Sequence, residues 1–184
     1  MLEEAAAELF LEQTYDGTTI DDISSRAGVS RNTFFNYFSS KSDVLWVDLD
    51  ETISALSRIL ASSPAPDNAL DAVESTLLKV AAEHPANRVP WAFTQIELMG
   101  TRTELLSSGM ARVLAVTETL NWYLTSNVRA DAGQDAATAA AALTAAAATA
   151  AVRWANDGVG RGPLDGYVQA AISPVCAGFR PRFD

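Results

Sequence analysis

Apolar residues recur at spacings of three and four along almost the whole chain, which is the pattern of amphipathic helices. Three short apolar stripes lie between residues 2 and 38, with turns at Gly17 and Gly28, and a longer stripe runs from Leu45 to Leu60. No stretch alternates between apolar and polar residues as a half-buried strand would, and no internal repeat is visible. The sequence therefore predicts an all-α fold.

The helical pattern breaks at residues 62–66, where serine and proline cluster, and we interpret this segment as a linker. The periodicity beyond it predicts helices over about 67–83, 87–99, 104–128, 135–156 and 164–173. Pro174 is expected to end the last helix, because proline has no N–H to donate. The alanine-rich segment 136–152 is too short and too weakly hydrophobic for a membrane span, so we expect it to pack closely against other helices.

Residues 19–41 have the pattern of two short helices joined by a glycine turn. Thr19 precedes Ile20-Asp21-Asp22, which predicts a helix N-cap with an acid at the third helical position. Gly28 permits the left-handed conformation of a tight turn, and Ser30 is placed to cap the next helix. Two helices around such a turn form the helix-turn-helix unit, whose second helix enters the major groove of DNA.

The first turn of that second helix is Arg31-Asn32-Thr33, and these side chains suit the reading of base edges. Phe34 and Phe38 are spaced to face the core, whereas 35–37 lie nearer the groove walls. Lys41 stands where the next helix begins, so its charge and nearby backbone N–H groups can meet a phosphate. The alternative is a helical hairpin inside a core, which would not explain the residue types at positions 31–33.

In this region the sequence resembles the TetR family of transcriptional regulators. The residues that carry the resemblance are Leu9-Phe10, Gly17-Thr18-Thr19-Ile20, Ile23, Ala27-Gly28-Val29-Ser30, Thr33, Phe34-Phe35-Asn36-Tyr37-Phe38, Ser40-Lys41 and Val44-Leu45. They lie in roughly the first third of the chain. The resemblance implies a three-helix DNA-binding domain over 1–45 and a helical effector-binding and dimerisation domain over 46–184. It also implies a connecting fourth helix, over about 41–61.

The resemblance assigns roles to single residues. By position, Thr19, Tyr37 and Lys41 correspond to phosphate contacts, and Arg31, Asn32 and Thr33 correspond to base readers. The predicted DNA-binding set is completed by Ser30 and Phe35. The family often has tyrosine where this chain has Phe35, so a phosphate hydrogen bond is missing there. The family also usually has a basic arm before the first helix, whereas this sequence begins Met1-Leu2-Glu3-Glu4. Either the start is assigned wrongly or the arm is absent, and we expect weaker phosphate binding in both cases.

Charge is the main observation against DNA binding. The formal net charge is −10. Residues 1–50 hold ten acids against three permanent cations, Arg26, Arg31 and Lys41. The acids at 3, 4, 8 and 12 fall on the first helix, which need not face DNA, whereas Arg31 and Lys41 fall on the predicted DNA face. We therefore expect weak non-specific binding and modest affinity at physiological salt.

The chain has one cysteine, Cys176, and one histidine, His84, which exclude an intrachain disulfide and a zinc cluster of cysteines and histidines. We expect Cys176 to be a buried, inert thiol and His84 to be a solvent-exposed cap beside Pro85. An enzyme with an all-helical pocket is the rival class. The sequence offers it no nucleophile–base pair and no phosphate loop, so we predict no catalytic residue, no metal and no cofactor.

Aromatic residues of the second part are candidates for a small-molecule pocket, with ordinary core packing as the alternative. The predicted pocket residues are Trp91, Phe93, Gln95, Met99, Trp122 and Trp154. For the dimer, we expect segments 136–152 and 164–173 of two subunits to form a four-helix bundle. The alternative is that the alanine-rich helix is buried within one subunit.

These features predict a homodimeric repressor that leaves a palindromic operator when a small apolar or acyl-type effector binds. A looser resemblance of residues 33–41 and 46–50 is to actinobacterial members, including mycofactocin-system regulators, which are associated with acyl-CoA effectors. No signal-peptide pattern opens the sequence, so we expect a cytoplasmic protein with no membrane partner. The alternative is an interaction or ligand-handling protein of the same fold with weak or no DNA binding.

Overall fold

The computed structural model describes residues 1–63, 67–94, 102–128 and 133–183. These ranges contain helices and no strand, so the predicted all-α fold is confirmed. The helices are α1 (Leu2–Gly17), α2 (Ile20–Arg26), α3 (Arg31–Tyr37), α4 (Val47–Ser62), α5 (Ala69–Glu83), α6 (Trp91–Thr94), α7 (Arg102–Asn127), α8 (Gly133–Asn156) and α9 (Leu164–Phe179). Short 3-10 helices cover Lys41–Trp46, Gly158–Gly160 and Arg180–Arg182.

The chain forms two compact units. The first combines Met1–Asp48 with Pro90–Gly109, and the second combines Leu49–Val89 with Met110–Asp184. Helices α4 and α7 therefore each contribute residues to both units. The sequence carried no signal that the segment from residue 90 belongs with the N-terminal helices, and the predicted division at residue 45 remains a prediction.

The first unit is built on α1, α2 and α3, which pack around a small apolar core. Its buried side chains include Leu9, Phe10, Tyr15, Ile23, Phe34 and Leu45. Helix α1 is interrupted at Thr14, whose φ of 69° lies in the left-handed region that side chains other than glycine rarely adopt. After this break Tyr15 points into the core, where its ring lies 5.1 Å from that of Phe10.

The second unit is organised around the pair α8 and α9, with α5 packed on α9. Alanines on α8 allow the two helices to approach closely, and Ala139, Ala140 and Leu143 are fully buried there. Of the helices in the described ranges, α8 is the one long and apolar enough to cross a membrane by length and composition alone. One side of α8 packs against α9, and 33% of its most apolar stretch is buried.

Several helix boundaries differ from those predicted. Helix α9 continues through Pro174 to Phe179, so the prediction that Pro174 ends it was wrong. Pro174 is exposed, while Ile172 and Cys176 on either side are fully buried, and this packing offsets the hydrogen bond that proline cannot make. Helix α6 begins at Trp91 rather than at 87, directly after Pro90, which suits a helix start. The segment from Lys41 opens as a 3-10 helix instead of as α4.

Candidate nucleic-acid interface

Helices α2 and α3 are joined by a tight turn at Gly28, whose φ of 69° is in the left-handed region. The backbone N–H groups of Gly28 and Val29 donate to the carbonyls of Ser25 and Ser24 at 3.1 and 2.9 Å. These bonds satisfy carbonyls at the end of α2 that have no helical partner. The predicted helix-turn-helix is therefore present, with the predicted glycine at its turn.

Thr19 begins α2 through a reciprocal capping arrangement. Its hydroxyl accepts the Asp22 N–H at 3.1 Å, and Asp22 Oδ2 accepts the Thr19 N–H at 2.9 Å and the Thr19 hydroxyl at 2.6 Å. The hydrogen bond from the Thr19 side chain, and then that from its backbone, lower the pKa of Asp22. The predicted N-cap is confirmed, and a phosphate at Thr19 would compete with Asp22 for its hydroxyl.

Ser30 caps helix α3, as the sequence indicates. Its hydroxyl accepts the Thr33 N–H at 3.1 Å and lies 2.9 Å from the Thr33 hydroxyl. Phe34 anchors the opposite side of the helix and is 0% exposed. Its ring packs against those of Phe35 and Phe38, with centroids at 5.6 and 5.3 Å. The helix is thereby held by one cap and one buried ring.

The outer face of α3 presents the residues predicted to read DNA. Arg31, Asn32, Phe35 and Tyr37 are exposed, and Thr33 is half-buried. Arg31 Nη1 donates to both carboxylate oxygens of Asp21, at 2.9 and 3.0 Å. Its guanidinium carbon also lies 5.5 Å from the centroid of the Phe35 ring. This face therefore offers polar donors and acceptors at the surface of a rigid helix, which base-edge reading requires.

Lys41 points toward α1 instead of outward. Its Nζ donates to the carbonyls of Tyr15 and Thr18 at 2.6 and 2.9 Å and lies 3.9 Å from the centroid of the Tyr15 ring. Asp43 Oδ2, nearby in sequence, accepts the N–H groups of Ser39 and Ser40. A phosphate contact by Lys41 would require the ammonium to leave the two carbonyls at the end of α1.

Many charged side chains of the first unit pair with other groups of the same unit. Arg26 on α2 forms ion pairs with Glu8 and Glu12 of α1 at 3.1 and 2.7 Å. The Arg26 hydrogen bond lowers the pKa of Glu12, and the two carboxylates raise that of Arg26. Across residues 1–50, all described, each of the three cationic side chains is held by groups of the chain itself.

Sequence reasoning missed three residues that shape this surface. Asp43 carried a local signal, because Ser40 followed three residues later by an acid matches a capping box. Asp21 and Tyr15 carried none, since they meet Arg31 and Lys41 only through the packing of α1, α2 and α3. The pairing of Asp21 with Arg31 spans 10 residues, and that of Tyr15 with Lys41 spans 26.

The predicted pocket residues are divided between the two units of the chain. Trp91 and Phe93 belong to the first unit, where the Phe93 ring meets Trp46 edge-on at 5.6 Å. Trp122 belongs to the second unit and is 56% exposed in the single chain, and its place in a pocket remains a prediction. It lies on the outward side of α7, between inward-facing Leu120 and Tyr123. Gln95 and Met99 lie outside the described residues.

Trp154 is a core residue of the second unit. It is 1% exposed, and its Nε1 donates to the Gly162 carbonyl at 2.9 Å. The His84 ring meets it edge-on at 5.4 Å. His84 lies 2.9 Å from the Thr52 hydroxyl through Nδ1 and 2.7 Å from the Arg88 carbonyl through Nε2. The expectation of a solvent-exposed histidine was wrong, since His84 is half-buried and joins α4 to the end of α5.

Cys176 is fully buried in α9, as expected of an inert thiol. Burial, with the nearby Glu74 carboxylate, raises the pKa of the Cys176 thiol to about 12. The thiol is therefore protonated at neutral pH, which disfavours oxidation and nucleophilic chemistry. Among the described residues, no group of three or more histidine, cysteine or acidic side chains is arranged to hold a metal ion.

The helix-turn-helix segment is similar to that of bacterial regulators. Residues 2–45 match the sequence profile of the TetR family of bacterial regulatory proteins. A protein of Mycobacterium tuberculosis named as a mycofactocin biosynthesis regulator, MftR, is 30% identical over 77 residues, or 42% of this chain and 39% of that protein. The transcriptional regulator TcmR of Streptomyces glaucescens is 35% identical over 75 residues, or 41% of this chain and 33% of TcmR.

The solved structures that this chain resembles cover nearly its full length. The Thermus thermophilus repressor FadR, solved with lauroyl-CoA, superposes with a TM-score of 0.57 and 22% identity, over 96% of this chain and 92% of FadR. A TetR/AcrR-family regulator of Thermobifida fusca gives a TM-score of 0.51 and 23% identity, over 97% and 96% of the two chains. At these identities the likeness is one of fold. The sequence matches, by contrast, span well under half of the curated relatives.

Proposed function

We propose that the protein is a ligand-responsive transcriptional regulator, because residues 2–45 match the sequence profile of the TetR family of bacterial regulatory proteins. The observation that carries the proposal is α3, which is capped by Ser30, anchored by Phe34 and exposed along Arg31, Asn32 and Tyr37. Such a helix can enter a major groove and present Arg31 and Asn32 to base edges, with Tyr37 available for a phosphate contact. DNA rather than a substrate is the partner that this surface suits.

The test is a selection of DNA sequences from a random pool by the purified full chain at low salt. Arg31→Ala serves as the matched control, because it removes an exposed side chain and leaves Phe34 and the Ser30 cap intact. Enrichment of a palindrome by the wild-type chain, with weaker enrichment by Arg31→Ala, would support the proposal. A pool that stays random for both proteins would count against it.

We further propose that the protein acts as a homodimeric, cytoplasmic repressor. Two recognition helices of a dimer would occupy successive major grooves, and α8 with α9 of each subunit would form the interface. Helix α4 contributes residues to both units, and we expect it to transmit the effect of effector binding to the DNA-binding helices. The effector must bind the DNA-competent and the released state unequally, or it cannot change operator affinity.

For the effector we propose a small apolar or acyl-type molecule. The short similarity to MftR and the fold shared with FadR, a repressor solved with lauroyl-CoA, support this class. Operator binding is to be measured with and without lauroyl-CoA, with free coenzyme A as the control. Release by lauroyl-CoA alone is expected. Unchanged binding with both would remove the acyl-CoA class and leave the proposal of DNA binding intact.

A second candidate is an interaction or ligand-handling protein of the same fold that no longer binds DNA. It is favoured by one observation, the internal pairing of Arg26, Arg31 and Lys41 within an acidic N-terminal unit. Tight, salt-independent binding of a protein or acyl ligand, together with a pool that stays random in the selection, would support this candidate.

A further inference from the structure

We propose that Asp21 is a specificity-determining residue of the DNA-binding surface, where it and Phe35 hold the Arg31 guanidinium in position to read guanine. This inference rests on the proposed function, because it concerns how α3 of the same surface reads DNA. Asp21 belongs to α2, not to the recognition helix, so it acts through Arg31 and is a positioning residue.

Both oxygens of the Asp21 carboxylate accept a hydrogen bond from the same nitrogen of Arg31. Nη1 donates to Oδ1 at 2.9 Å and to Oδ2 at 3.0 Å. Asp21 is itself well placed, because it lies in the first turn of α2, between the two members of the reciprocal cap, Thr19 and Asp22. The direction of the guanidinium is thus set by a carboxylate on a separate, capped helix.

The ion pair between Asp21 and Arg31 contributes little to the stability of the fold. The Arg31 and Asp21 side chains are 57% and 66% exposed. Ion pairs at such exposure contribute little to stability, because water screens them and two long side chains lose freedom. A role at the surface, toward a partner, accounts for the geometry better than a structural one.

Phe35 supplies a platform for the same guanidinium. It follows Arg31 by one helical turn, and its ring centroid lies 5.5 Å from the guanidinium carbon, within the range of a cation–π contact. The ring packs edge-on against Phe34, which is fully buried, so the platform cannot swing away freely. A tyrosine here would offer a hydroxyl to a phosphate, whereas phenylalanine offers only its face to Arg31.

The side of the Arg31 guanidinium that Asp21 does not bind is the side that can recognise guanine. Nη1 is taken by Asp21, and within the described residues Nη2 and Nε have no acceptor from the protein. Two N–H groups in a fixed fork match the O6 and N7 acceptors of guanine. The Asp21 charge also repels phosphates, which disfavours a shift of Arg31 to the DNA backbone. The arrangement therefore favours base reading over non-specific contact.

The experiment extends the DNA selection to the full chain carrying Asp21→Asn, with Asp16→Asn as the matched control. Both variants remove one exposed negative charge from the same unit, but Asp16 lies outside the Arg31 contact. Phe35→Leu is a second variant, which keeps an apolar side chain and removes the aromatic face. Thermal unfolding followed by circular dichroism checks that each variant folds.

We expect Asp21→Asn to relax the preference for guanine about tenfold at the one position per half-site that Arg31→Ala also relaxes. Phe35→Leu should relax the same position, and Asp16→Asn should leave it unchanged. Binding of Asp21→Asn to scrambled duplex should become tighter and more dependent on salt, since the freed cation can reach a phosphate. If the wild type selects an operator and Asp21→Asn keeps the guanine preference of Asp16→Asn, this inference alone is overturned. If the wild type selects no operator, the proposed function falls with it.

Discussion

Single polar side chains hold α3 and the segment after it in place. Ser30 accepts the backbone N–H of Thr33 and so starts α3 at Arg31, the first predicted base reader. Lys41 satisfies two carbonyls at the end of α1. Both were predicted as DNA-facing residues, and both have measurable structural roles of their own.

Replacing Ser30 by alanine removes the cap of α3. We expect Ser30→Ala to lower the free energy of unfolding by about 1 kcal/mol, because an N–H of the first turn loses its acceptor. Ser30→Asp should restore most of this loss, since a carboxylate accepts the same hydrogen bond. Urea unfolding followed by circular dichroism measures both. Equal stability of the alanine variant and the wild type would show that the cap contributes nothing.

Replacing Lys41 by methionine leaves an apolar stem over the Tyr15 ring but removes the ammonium that donates to the carbonyls of Tyr15 and Thr18. The Tyr15 carbonyl still accepts the Thr18 N–H at 3.2 Å. The free energy of unfolding should fall by about 1–3 kcal/mol, because the Thr18 carbonyl loses its donor and the Tyr15 carbonyl loses one of two. Lys79→Met on the exposed side of α5 is the control and should change stability little. The interpretation fails if the two variants unfold at the same urea concentration.

Local residues of the site were predictable, and distant pairings were not. The caps at Thr19 and Ser30 depend on neighbours three residues away, so their residue types alone indicate them. The inward direction of Lys41 and the pairing of Asp21 with Arg31 depend on how three helices pack, which no short pattern encodes. For the same reason, the exposure of Trp122 could not be read from its neighbours.

Among the elements, α7 meets the 3-10 helix Lys41–Trp46 through one glycine. A Cβ on Gly109 would lie 3.1 Å from two carbons of the Trp46 ring. That ring cannot move aside easily, because Trp46 Nε1 donates to the Ser108 hydroxyl at 2.8 Å and Phe93 packs edge-on against it. Glycine at 109 is therefore required by close approach, although it weakens an isolated helix.

Gly109→Ala is expected to destabilise the first unit by about 1 kcal/mol, because crowding against Trp46 outweighs the gain in helix propensity. Gly166→Ala on α9 is the control, since no atom lies within 4 Å of its Cβ position. It should stabilise the protein by up to about 1 kcal/mol. Melting temperatures of the two variants test this, and a rise for both would contradict the clash.

For the helices as elements, the periodicity of apolar residues predicted those in the described ranges well, because each buries a stripe of apolar side chains at helical spacing. It misplaced boundaries where tertiary packing overrides local preference. Pro174 lies inside α9 because residues on both sides are buried, and the segment after His84 stays irregular up to Pro90.

For the whole molecule, the proposed dimer can be tested on α8. One stripe of α8 carries small or apolar side chains that are exposed in the single chain; it consists of Ala137, Ala141, Ala145, Thr149 and Val152. Ala145→Arg should convert a dimer to a monomer in light scattering, because a charge would be buried against its symmetry mate. Ser75→Arg, exposed on α5, should remain dimeric. A dimer that survives Ala145→Arg would place the interface elsewhere.

The net charge of −10 and the paired cations of the first unit together set the expected mode of DNA binding. Few phosphates can be neutralised, so affinity should depend less on salt than in a basic DNA-binding domain, and specificity must come from base contacts. The central claim is therefore that the chain distinguishes one sequence from others.

The most direct measurement is the affinity of the purified chain for its selected duplex and for a scrambled duplex of equal length, over a series of salt concentrations. We predict that the selected duplex binds at least about 1,000-fold more tightly, and that Arg31→Ala loses most of this ratio. Equal affinity for both duplexes at every salt concentration would contradict the account of this protein as a sequence-specific regulator.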